Sequence, residues 1–161
     1  MPLQREGACA RLEAESYADP QLASFIDQKF VPIEVHIKEN PAGFHRFDSV
    51  WTPTILVLDE NGKERHRIEG YLPKDEFAAQ LMLGLARVAF MQKKWADAEK
   101  LYDEILLKYP NSEAAPESVY WKAVSHYKGT NDHTVLGEVP KTLQQKYPNS
   151  VWAKKAIPWA A

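Results

Sequence analysis

The sequence predicts an α/β (α+β) domain lacking its first strands, followed by an all-α array of helical hairpins. Three observations carry this expectation. Residues 31–37 alternate apolar with polar side chains, and residues 54–58 form an unbroken apolar run, the patterns of a half-buried and a fully buried strand. Beyond residue 73 the pattern is helical. Within that half, Lys108-Tyr109-Pro110-Asn111-Ser112 recurs 38 residues later as Lys146-Tyr147-Pro148-Asn149-Ser150, and a fixed internal period marks a repeat array.

The elements follow in order. A short amphipathic segment covers about Gly7 to Tyr17. Asp19-Pro20 places a capping carboxylate before a proline at the first helical position, opening a helix toward Lys29. Val31, Ile33, Val35 and Ile37 then line one face of an expected strand. Asn40-Pro41 repeats the cap signal for a short helix to about Phe47. Thr54-Ile55-Leu56-Val57-Leu58 reads as a buried strand. Asp59-Glu60-Asn61-Gly62 turns the chain, because glycine takes positive φ at no steric cost, and Lys63 to Ile68 returns as the second strand of a hairpin. From Pro73 to about Gln92 a helix is broken only by Gly84 and is apolar on more than one face, which predicts burial between two layers. It is expected to belong to both cores. Further helices are expected near 95–108, 113–127, 132–146 and 150–158, each Tyr-Pro-Asn-Ser ending one and capping the next.

Composition limits the function classes. At 161 residues and 45% hydrophobic content the chain can bury a sizeable core. A net charge of −2 with Lys and Glu mixed throughout gives no electrostatic footprint for nucleic acid. No apolar run is long enough to span a bilayer, and the N-terminus lacks the apolar stretch of a secretory signal. A single cysteine, Cys9, excludes an internal disulfide framework and suits a reducing compartment, so a cytoplasmic protein is expected.

Cys9-Ala10-Arg11-Leu12-Glu13, Phe30-Val31-Pro32, Trp51-Thr52-Pro53-Thr54, Leu58-Asp59-Glu60-Asn61-Gly62-Lys63 and Ile68-Glu69-Gly70-Tyr71 stand in the order and spacing of one family. On them the stretch from Cys9 to about Gln80 resembles a thioredoxin-like domain. The resemblance implies a cis bond before Pro53, a proline seated against the cysteine motif, and substrate contact by the backbone that precedes it. Residues 82–158 look like tetratricopeptide repeats, with Leu85, Ala86, Trp95, Ala98, Tyr102 and Ile105 on that family's packing positions when Pro110 is the terminal proline. The usual repeat is about 34 residues, so the 38-residue spacing implies an insertion, expected at Lys128-Gly129-Thr130-Asn131-Asp132. The expected domains are 1–80 and 81–161. The Tyr-Pro-Asn-Ser junctions also resemble those of bacterial cell-envelope scaffold proteins, which makes the periplasm the alternative compartment if the true start lies upstream.

Two departures from the thioredoxin pattern matter. Glu6 stands where the first cysteine of a Cys-x-x-Cys pair belongs. One thiol cannot both attack and resolve a disulfide. The family's central strand, normally just before that motif, has only five residues available, Pro2 among them. The strands at 31–37 and 54–59 would then pair directly, receive a strand from a second chain, or await one from an upstream start.

Cys9 is the candidate catalytic residue, as a remnant thiol near a helix N-terminus, with a small buried side chain as its bland alternative. Thr52 and Pro53 are the candidate substrate-binding edge, by strand addition to an extended peptide. Glu6 has no partner in sequence and reads as a solvated charge. His36, His45, His66, His126 and His133 lack ligand spacing, and the basic neighbours of His45 and His66 suit a solvated surface. No metal and no cofactor are expected. Trp95 and Tyr102 read as core, while Trp152 and Trp159 read as an exposed aromatic patch for a partner or dimer mate. The expected function is that of a non-catalytic scaffold binding a protein or peptide, with no nucleic acid, no membrane span and a possible homodimer. The alternative is a thiol-disulfide oxidoreductase using Cys9, alone or with a first cysteine lost to truncation.

Overall fold

The computed structural model describes residues 7–160. They form two compact units: residues up to 56 with 67–77, and residues 57–66 with 78 onward.

In the first unit, α1 (Ala8–Leu12) runs into a π-helical turn over Glu13–Tyr17, where the Ala18 amide reaches the Glu13 carbonyl at 3.0 Å. α2 (Pro20–Lys29) starts where sequence places it, with Asp19 Oδ1 accepting from the Leu22 amide at 2.9 Å. α3 (Pro41–Arg46) is capped in the same way, Asn40 Oδ1 accepting from the Gly43 amide at 2.8 Å. Leu12, Leu22, Ile68 and Phe77 are buried, and Tyr17 meets Phe77 edge to face at 5.8 Å.

β1 (Thr54–Leu58) and β2 (Glu64–Glu69) form a two-stranded sheet. The Asp59 carboxylate organises the turn, accepting from the Asn61 and Lys63 amides and from Arg65. Those backbone bonds, Lys63 first, hold its carboxyl below the usual range. Gly62 takes φ of 73°, the left-handed value that disfavours other residues.

The strand expected at 31–37 is absent. Residues 31–36 carry no regular structure, with Val31 88% and Ile33 82% exposed. Alternation makes a strand only where another backbone accepts its hydrogen bonds. Among the described residues the sheet holds only β1 and β2, and 31–37 does not join it on either edge.

The second unit is helical. α4 (Lys74–Met91) gives it Leu81, Met82, Leu83 and Ala86, all buried. Gly84 explains its place in α4: a Cβ there would lie 2.5 Å from Val57 Cγ2. α5 (Trp95–Lys108), α6 (Ala114–Thr130) and α7 (Thr134–Lys146) pack in sequence, followed by α8 (Val151–Lys155) and a 3₁₀ turn at Ile157–Trp159. α6 continues through the expected loop at 128–130, and Asn131 closes it in the left-handed conformation at φ 61°.

The repeated junctions share a backbone path but not the expected cap. Ser150 caps α8, whereas the Ser112 hydroxyl donates back to the Tyr109 carbonyl and α6 follows Glu113 with no side-chain cap. Tyr109 and Tyr147 cap their helices at φ −131° and −138°, each amide 2.8 Å from the carbonyl four residues earlier. Ser112 and Ser150 each turn back to that tyrosine's carbonyl at 3.1 Å. Tyr147 Oη then donates to the Pro110 carbonyl at 2.6 Å, joining one junction to the other.

Candidate functional site

In the first unit the predicted site residues fall on two supports. The Thr52–Pro53 peptide bond is cis, as the resemblance implies. Thr52 is exposed and Pro53 half-buried. The Pro53 carbonyl accepts from the Gly70 amide at 2.8 Å, extending the hairpin ladder by one bond. Gly70 has φ of 85°, and this left-handed bend delivers Tyr71 to the helix that carries Cys9. Tyr71 Oη donates to Glu15, Arg11 pairs with Glu15 at 2.9 Å, and the Arg11 guanidinium lies 4.7 Å above the Tyr71 ring. The Tyr71 hydrogen bond, with Arg11 behind it, holds the Glu15 carboxyl below its usual range, and the same bond pushes the Tyr71 hydroxyl up.

Cys9 sits in the first turn of α1 and is exposed, not the small buried side chain of the bland reading. Glu6 lies outside the described residues. An exposed lone thiol can form a mixed disulfide, but no second thiol in the chain can resolve it. Sequence reasoning missed Arg11, Glu15 and Tyr71, which tie the Cys9 helix to the loop ahead of α4. The charge-aromatic set is spread over 60 residues, and only the fold assembles it.

In the second unit a groove of about 880 Å³ opens across α5, α6 and α7. Leu106, Leu107, Val119 and Val139 give it apolar walls. The Asp103–Lys122 ion pair and the contact of His126 Nδ1 with Glu99 Oε1 at 3.1 Å bridge α5 to α6 along it. Leu107 is 74% exposed. On the other residues of α6 the aromatic side chains form a chain of ring contacts. Phe90 meets Trp95 at 5.0 Å and Trp121 at 5.2 Å, and Tyr120 stacks on Trp159 at 4.3 Å and tilts against Trp152 at 5.1 Å. Trp152 and Trp159 are therefore packing residues of the last helical layer, half-buried against Val139 and Leu143, and not the exposed patch expected from their place in the chain.

Tyr102 is buried as expected, 1% exposed. Ala86, Ala98 and Ile105 are equally enclosed. His66 departs from expectation: it is buried between Gln80 and Arg87, and its basic neighbours in sequence did not reveal a surface position. Among the described residues, no three His, Cys, Asp or Glu side chains gather as a metal site. No helix among them is long and apolar enough to cross a membrane.

The β1–β2 hairpin set among helices and followed by helical hairpins is the architecture of an α/β domain joined to a helical repeat region. Comparison with family models agrees: residues 4–84 match the thioredoxin-like domain and residues 79–112 a tetratricopeptide repeat. The chain belongs to the thioredoxin-like family, and a tetratricopeptide repeat follows its thioredoxin-like domain. No curated protein and no solved structure showed significant similarity to it.

Proposed function

We propose that this protein is a non-catalytic scaffold whose helical repeats bind a segment of a partner protein. The groove across α5, α6 and α7 carries this reading, with apolar walls beside the Asp103–Lys122 pair and a volume of about 880 Å³, within the usual size of ligand clefts. A single cysteine supports the absence of turnover, and the same lone thiol favours a reducing compartment, the cytoplasm. The edge of β1 that β2 leaves unpaired among the described residues, beside Thr52 and Pro53, supports a second contact, by strand addition to an extended peptide.

The test is affinity capture from native lysate with wild type and Leu107→Asp. Leu107 is exposed, so the substitution leaves folding within about 0.5 kcal/mol. Partners retained by wild type and lost by the variant are the expected result. Equal retention by both removes the groove from the proposal.

The exposure of Cys9 favours one second reading, monothiol exchange through a mixed disulfide or a Cys9–Cys9 homodimer. Insulin reduction with dithiothreitol decides it. Scaffold function gives background rates for both wild type and Cys9→Ser, whereas an enzyme loses rate on substitution.

A further inference from the structure

His66 on β2 is only 8% exposed, and both of its ring nitrogens are engaged. Gln80 Oε1 lies 2.7 Å from Nε2, and Arg87 Nη1 lies 3.0 Å from Nδ1. An amide oxygen only accepts and a guanidinium only donates. The proton must therefore sit on Nε2, leaving Nδ1 as the acceptor for Arg87. The imidazole is neutral, with one tautomer imposed from both sides.

A second proton has only Nδ1 to occupy, where it would point at an Arg87 N–H. Arg87 cannot yield by losing its own proton. It is also held from the other side by Glu117 of α6, itself 8% exposed. The charged and titratable groups around the ring are Arg87 on α4, Glu64 on its own strand, Glu117 beyond Arg87, and Tyr102 of α5 near that pair. Burial and then Arg87 push the imidazole below its ordinary value, outweighing the help that Gln80 and Glu64 give the charged form.

We propose that His66 is a proton-operated clasp. In its neutral form it fastens residues 57–66 to α4 and, through Arg87, to α6. Once protonated it repels Arg87, and that hairpin segment detaches while α4 to α7 stay packed. The sign follows from linkage: the closed form binds the proton less well than the opened form. Closure is therefore fully favoured above the ordinary histidine value and weakens as pH falls below it.

The test is amide hydrogen exchange across residues 57–66 at about pH 7.5 and about pH 5, the range over which an ordinary histidine titrates, corrected for intrinsic exchange. Wild type is expected to lose protection there, by at most about tenfold for each pH unit that the lower pH lies below the ordinary histidine value, with α6 and α7 unchanged. His66→Gln can donate to Gln80 and accept from Arg87 without titrating, so its protection should not change with pH. Constant protection in wild type, or an equal loss in the variant, overturns the proposal. So does a His66 proton resonance in folded wild type that titrates at or above about 6.5, a measurement independent of whether the variant folds.

Discussion

Ser16 and Gly84 show how much a single position fixes. Ser16 lies in the π-helical turn with its hydroxyl fully buried and without a partner among the described residues. An orphaned buried hydroxyl costs about 1–3 kcal/mol, so Ser16→Ala is expected to raise the urea midpoint by about 1 kcal/mol of stability. A lower midpoint would mean the hydroxyl has a partner in solution. Gly84 acts through the atom it lacks. A methyl group there meets Val57 Cγ2, Cβ and Cγ1 at 2.5, 2.9 and 3.1 Å, and a β-branched side chain in a core has little room to turn. Alanine's better helix propensity is worth about 1 kcal/mol, but overpacking costs about 1–3 kcal/mol. Gly84→Ala should therefore be net destabilising by chemical denaturation, and Val57→Ala in the same chain should recover part of the loss. If the double variant is no better than the sum of the singles, the clash is not the cause.

Among the elements, the junctions between helices are the most regular feature. Ser150 caps α8, its Oγ accepting from the Ala153 amide at 3.1 Å. Ser150→Ala should cost about 1 kcal/mol and show first as faster amide exchange in α8. Equal exchange would assign the capping to water. The backbone of these junctions was legible in sequence because Tyr-Pro-Asn-Ser fixes local dihedrals, but the cap was legible only at Ser150, since the Ser112 hydroxyl turns back to the Tyr109 carbonyl. The caps at Asp19 and Asn40 and the turn at Asp59 to Gly62 were legible for the same reason. The segment at 31–37 was not, because its period describes what the side chains would do once paired and says nothing of whether a neighbour exists. His66 was not legible either: adjacent arginines suggested solvent, yet in a strand the flanking residues point to the opposite face. Of the candidate site, sequence and resemblance marked Cys9, Thr52 and Pro53, but the fold alone brings Arg11, Glu15 and Tyr71 together.

For the whole molecule, proton binding sets the working range. Tyr71 and Arg11 hold the Glu15 carboxyl below its ordinary value, the Leu22 amide and Lys74 do so for Asp19, and bonds from Thr134 do so for Asp132. The folded protein thus binds fewer protons than the unfolded chain in this region, so stability is present above these ordinary values and is lost as pH falls through them. Denaturation midpoints measured from neutral pH into the acid range should decline in two stages, the earlier one assigned to His66 and the steeper one to the carboxylates. A midpoint that stays level below pH of about 4 would show that these contacts persist equally in the unfolded chain.

The stretch around Val31 and Ile33 has a bearing on handling. A run of alternating valine and isoleucine open to solvent is a template for intermolecular cross-β stacking. Pro32, which has no N–H to contribute to such a ladder, interrupts it at the second position. Pro32→Thr is expected to shorten the lag of thioflavin-detected fibril growth in concentrated solution, and an unaltered lag would locate the aggregation-prone surface elsewhere.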